Sequence, residues 1–148
     1  MNALYVEQIK AKIGKLRIIQ VAHLMTIPIL VWVANLIPPA DSPEWTLWHW
    51  VVTAFALYSV CVGFVLRRKL MQGARKALRS EPFNPKAVKQ WQTAQLVSIS
   101  LAEAPAVCGW VLQFFLGAMI EQAAPFYAAG LFLLLLWTPR MPTTALPA

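Results

Sequence analysis

A chain of 148 residues suffices for one compact unit. Apolar residues make up 59% and charged residues 13%, with a mean hydropathy of +0.57. This excludes a disordered chain and a small soluble domain, neither of which accommodates so much apolar surface. The solvent that remains is a lipid bilayer, and a net charge of +7, from 13 Lys plus Arg against 6 Asp plus Glu, has to be arranged around it.

Residues 1–17 are predicted as an amphipathic cytoplasmic segment. Tyr5, Val6, Ile9, Ile13 and Leu16 share one helical face, with Glu7, Lys10, Lys12 and Lys15 off it. Two readings fit: a helix lying on an anionic membrane surface, or the wet first turns of a long helix. The membrane domain is predicted over residues 18–140. Span one covers residues 18–37, and 20 residues at ~1.5 Å each cross the ~30 Å hydrocarbon core. Pro28 lies inside it, and the Pro38–Pro39 to Pro43 stretch forms a tight outer turn. Span two covers residues 45–66. Trp45, Trp48, His49 and Trp50 form an aromatic belt at its outer end, and Arg67, Arg68 and Lys69 stop it.

Residues 67–89 are a basic cytoplasmic connection. Its stretch from Leu70 to Leu78 can continue the second helix into water, a turn follows at residues 80–85, and a helix restarts over residues 86–92. Span three is predicted over residues 93–120, long enough to require tilt or a kink at Pro105. Span four covers residues 124–138 after a short outer turn at residues 121–125, and residues 141–148 form a frayed tail. Lys and Arg precede span one, fill the central loop and follow span four at Arg140, whereas the other two connections have none. That is the positive-inside pattern of a multi-pass inner-membrane protein, not a nucleic-acid stripe. The expected fold class is all-α: a four-helix transmembrane bundle of two antiparallel hairpins, with both termini inside.

Glu103 is the acidic residue deep within a span, ~15 Å along the helix from Thr93 and hence near the bilayer midplane. An intramembrane carboxylate faces the bundle interior, takes a partner or holds a proton. It shares a stripe with Gln92, Gln95, Ile99, Ala106, Trp110 and Gln113 at helical spacing, which suggests a polar, protein-facing seam. Glu103 either binds and releases a proton or cation, or is a neutral acid acting as polar glue. His23, of similar depth, is its candidate partner, or a histidine hydrogen-bonded near the inner interface. His49 lies at the outer end, too far in depth from His23 to share a haem iron.

No catalytic constellation, metal-ligand spacing or cofactor motif is present. Cys61 and Cys108 lie inside apolar runs, as small lipid-phase or core residues. Ala56, Ser59 and Gly63 form a small-residue face permitting close helix approach, and Tyr58 and Trp110 are expected to mark packed interior.

The run Arg79 to Pro85, then Gln92 to Gln95, then Leu101-Ala-Glu-Ala-Pro-Ala-Val-Cys-Gly109 resembles the polar loop and outer helix of rotary ATPase c subunits. The resemblance covers about 30 residues, set in a chain similar to small uncharacterised bacterial four-helix inner-membrane proteins. In that family the helices form rings and the mid-membrane acid carries a proton or sodium ion, so the resemblance implies an ion-carrying role for Glu103. The family's inner helix carries repeated glycines, whereas span two has Gly63 with bulky Trp50, Phe55, Tyr58 and Phe64. The expected function is a non-enzymatic, membrane-embedded structural or accessory subunit, partnered by the lipid bilayer and by other membrane subunits or itself, with no nucleic acid. The alternative is proton or cation translocation through Glu103.

Overall fold

The structure, a computed structural model, describes residues 3–36, 46–80 and 84–139. Four helices account for nearly all of them: α1 (Ala3–Ala34), α2 (Leu47–Ser80), α3 (Pro85–Leu116) and α4 (Ile120–Leu136). Three are long and apolar enough to cross a membrane, and α4 is a shorter apolar helix. The 37–45 turn, residues 81–83, Arg140 and the 141–148 tail lie outside the described residues, as do the side chains of Tyr5 and Val6.

The organising element is α3. It packs against α1, α2 and α4, while α1 and α2 barely touch. The expected packing of α1 against α2 as a hairpin is therefore not what builds the bundle. The reason lies in the α3 sequence. Ala94, Ser98, Ala102, Ala106, Cys108 and Gly109 are all buried along it, and small side chains let several neighbours approach one helix axis. The α3–α4 crossing shows this most clearly. A Cβ added at Gly130 would stand 2.8 Å from the Ala106 Cβ and 3.1 Å from the Ala106 backbone nitrogen. The predicted small face of α2 also turns inward, with Ala56, Ser59 and Gly63 buried. Gly63 leaves room for the Trp137 ring, which meets Phe64 edge-on at 5.2 Å and takes the Arg67 guanidinium over its face at 5.0 Å.

The core divides in two. One cluster gathers Ile27 from α1, Ile99, Ala102 and Ala106 from α3, and Ala123, Tyr127, Leu133 and Leu134 from α4. The other joins Ile9, Ile13 and Leu16 of α1, Ala74 and Leu78 of α2, and Ala87, Val88 and Trp91 of α3. This second cluster lies among the basic residues. Where water is the solvent, such burial contributes about 1.5–3 kcal/mol for each large apolar side chain. The amphipathic N-terminal face is thus absorbed: Ile9, Ile13 and Leu16 are buried against the other helices, and α1 runs unbroken from Ala3.

Helix ends explain where the boundaries shift. Asn84 caps α3, its side chain accepting from the Lys86 backbone N–H at 2.8 Å, with Pro85 in the first helical position. At the other end Gly117 takes the left-handed conformation (φ 68°), and its neighbour's N–H, that of Ala118, bonds back to the Leu112 carbonyl at 3.0 Å. Span three therefore stops at Leu116 rather than continuing to residue 120. The turn between α3 and α4 falls on Gly117–Met119 rather than on 121–125, and α4 starts at Ile120. Pro125 and Pro105 are both carried inside continuous helix.

Candidate functional site

Along the expected polar seam of α3, Gln95, Ile99, Ala106 and Gln113 are buried and Gln92, Glu103 and Trp110 half-buried. Its members have separate roles. Glu103 meets His23 of α1, with Nε2 to Oε2 at 3.5 Å. The other imidazole nitrogen, Nδ1, lies 2.8 Å from the Ile19 carbonyl one turn earlier. A carbonyl oxygen only accepts, so Nδ1 carries the hydrogen and donates it. In the neutral ring Nε2 then presents a lone pair. That nitrogen faces the Glu103 carboxyl across the 3.5 Å gap.

The position of the pair matters as much as its chemistry. Around Glu103 the residues one turn away divide sharply: Ile99 and Ala106 are buried, whereas Ser100 and Val107 are exposed. Glu103 thus lies on the rim between the α1 contact and an open face of α3, with 16% of its side chain accessible against 27% for His23. It is neither sealed in the bundle nor directed wholly outward.

Gln113 serves a different purpose. Its amide nitrogen donates to the Asn35 Oδ1 at 2.9 Å, and its Oε1 accepts from the Tyr127 hydroxyl at 3.1 Å. One side chain thus joins α3 to the end of α1 and to α4. A further link, not singled out from sequence, is Gln20, whose amide donates to the Leu134 carbonyl and reaches the Thr138 hydroxyl at 3.4 Å. That carbonyl is among the last four of α4, which have no intrahelical donor. Its signal in the sequence is an amide, the one glutamine, in the apolar run of span one. Gln95 is 2% exposed, and its Oε1 is buried without a hydrogen-bond partner. Gln92 makes no side-chain link comparable to that of Gln113.

His49 is set apart from the pair. Its Nδ1 accepts from the Thr46 backbone N–H at 3.1 Å and lies 2.9 Å from the Thr46 hydroxyl, at the start of α2. Trp48 and Trp50 on either side are exposed, as an interfacial belt requires, and Trp45 lies outside the described residues. Tyr58 corrects an expectation: it is 65% exposed, not packed interior, because it projects from the face of α2 opposite Ala56, Ser59 and Gly63. Trp110 is half-buried and stacks on Phe114 with centroids 4.9 Å apart. Cys108 is buried and Cys61 exposed. Among the described residues no three His, Cys, Asp or Glu side chains gather as a metal set. Comparison with known proteins gives no match to a family model, a curated protein or a solved structure.

Proposed function

We propose that this chain is a multi-pass inner-membrane protein, a non-enzymatic accessory subunit whose exposed apolar faces pack against other membrane helices or a second copy. In this reading α1 and α3 rise from the cytoplasmic side, α2 and α4 return to it, and both termini lie inside. The gathering of Lys10, Lys15, Arg68, Lys69, Arg75, Lys76, Lys86 and Lys89 at the end of the bundle holding Trp91 and Leu78 supports that orientation.

The observation that carries the partner is Tyr58. It lies eight residues from the end of span two, ~12 Å into the hydrocarbon, and it is exposed with no hydrogen bond to its hydroxyl. A phenolic O–H facing lipid tails has nothing to bond with, and satisfying it calls for an acceptor from another helix. Native mass measurement of the detergent-extracted chain tests this. Dimers or a co-purifying subunit are expected, with the association weakened by Tyr58→Phe. A strictly monomeric protein that copurifies with nothing removes the reading.

A second reading rests on the His23–Glu103 pair: carriage of a proton through the mid-membrane carboxylate, as the resemblance to rotary ATPase c subunits implies. One carboxyl and one imidazole suit a proton better than a sodium ion, which takes a fuller shell of oxygen ligands. Liposomes carrying the parent chain or Glu103→Gln distinguish the two. Proton flux lost in the variant supports translocation, and equal flux in both eliminates it.

A further inference from the structure

At the basic end, α2 and α3 leave an open groove of about 620 Å³ between them. Lys69 of α2 and Lys86 and Lys89 of α3 line it, over a floor that includes Leu70, Ala74 and Ala94. Among the described residues the lining contains no acidic side chain. Among the described residues none of the three lysine ammonium groups makes a hydrogen bond or ion pair, although all three side chains are exposed and border one space. Three ammonium groups around one hollow repel each other until a shared anion enters. A free anion would use the charged rim alone, whereas this groove has a second, apolar half. On α3 the exposed row that begins at Lys86, Lys89 and Thr93 continues through Leu96 and Ser100. From Thr93 to the level of Glu103 is ~15 Å, half the thickness of the hydrocarbon core.

We infer that the groove binds an anionic glycerophospholipid, its phosphate held by Lys69, Lys86 and Lys89 and one acyl chain lying along the open face of α3. A chain of that reach covers the exposed flank of Glu103, so the lipid sets how far water and neighbouring helices approach the His23–Glu103 pair. The inference rests on the membrane reading above. Basic hollows between spanning helices on the cytoplasmic side suit such headgroups, whose negative leaflet attracts each nearby Lys or Arg.

The test is native mass spectrometry of the full chain in neutral detergent, titrated with dioleoylphosphatidylglycerol, dioleoylphosphatidylcholine or inorganic phosphate. The phosphatidylglycerol adduct is expected to dominate. It should weaken about fivefold per lysine removed, on the order of 100-fold in the Lys69→Gln, Lys86→Gln, Lys89→Gln triple variant. A matched triple on α1 (Lys10→Gln, Lys15→Gln, Arg17→Gln) should retain it. Gly73→Trp, which fills the groove from a position with open space around it, should lose it with no change of charge. Equal loss in both triples, equal binding of phosphatidylcholine, or displacement by millimolar inorganic phosphate each overturns the inference. A chain that stays soluble without detergent defeats the membrane reading instead, an outcome separate from these.

Discussion

His23 and Glu103 are joined across α1 and α3 at 3.5 Å, with the histidine already anchored to the Ile19 carbonyl on its other side. The anchoring fixes which nitrogen meets the carboxyl. Removing one member leaves the other without that partner. Glu103→Ala is expected to destabilise the bundle by about 1–2 kcal/mol, while Glu103→Gln, whose amide still donates to Nε2, should cost less than about 1 kcal/mol. Unfolding in mixed micelles with increasing dodecyl sulfate measures both. Equal loss in the two variants would show that the pair does not hold the helices.

Gln113 joins α3 to α4 and to the end of α1 through a single side chain. Gln113→Leu leaves both Asn35 and Tyr127 without that partner, and a loss of about 1–2 kcal/mol is expected. Tyr127→Phe removes one bond and should lose about half as much. A double-mutant cycle reads the coupling directly. If the two losses simply add, the Tyr127–Gln113 bond contributes nothing to stability.

Glycine positions sort by what surrounds them. Gly130→Ala drives a methyl into the side chain and backbone of Ala106, and overpacking there should cost about 1–3 kcal/mol. Gly14 has nothing within 4 Å of an added Cβ. Gly14→Ala should therefore stabilise α1 by up to about 1 kcal/mol through helix propensity alone. Thermal unfolding of the two variants side by side checks the order, and a Gly130→Ala chain as stable as the parent contradicts the close α3–α4 crossing.

Hydropathy and periodicity carried the four helices, because a bilayer-length apolar run admits little else. The basic connection 67–89 was read as helix continuing through Leu78, a turn over residues 80–85 and a helix restarting at residue 86, and α2 runs to Ser80 while α3 starts at Pro85. A lone glycine in a run of apolar residues, by contrast, gave no warning that Gly117 would stop α3 in the left-handed conformation. His23 was legible as a candidate partner of Glu103 through depth alone, since Glu103 is the one acidic residue in its span and His23 the one histidine in its own. The roles of the glutamines were not. Gln113 and Gln95 share a stripe, yet one bridges three helices and the other leaves its oxygen unpartnered. What separates them is which neighbour stands opposite, a property of the packing around α3. Tyr58 was misread for a similar reason: its position in the span gives depth but not direction, and direction follows from the small face of Ala56, Ser59 and Gly63 being the one α3 covers.

The most direct test of the account is side-specific thiol labelling in sealed membrane vesicles, on a background with Cys61→Ser and Cys108→Ala. Single cysteines replace Glu7, Gln72 and Met119, all exposed. Glu7 and Gln72 positions should react with an impermeant maleimide from the cytoplasmic side and Met119 from the opposite side, with the protein retained in the membrane after carbonate washing. Labelling of the Gln72 and Met119 positions from the same side, or release of the chain by carbonate, would contradict it.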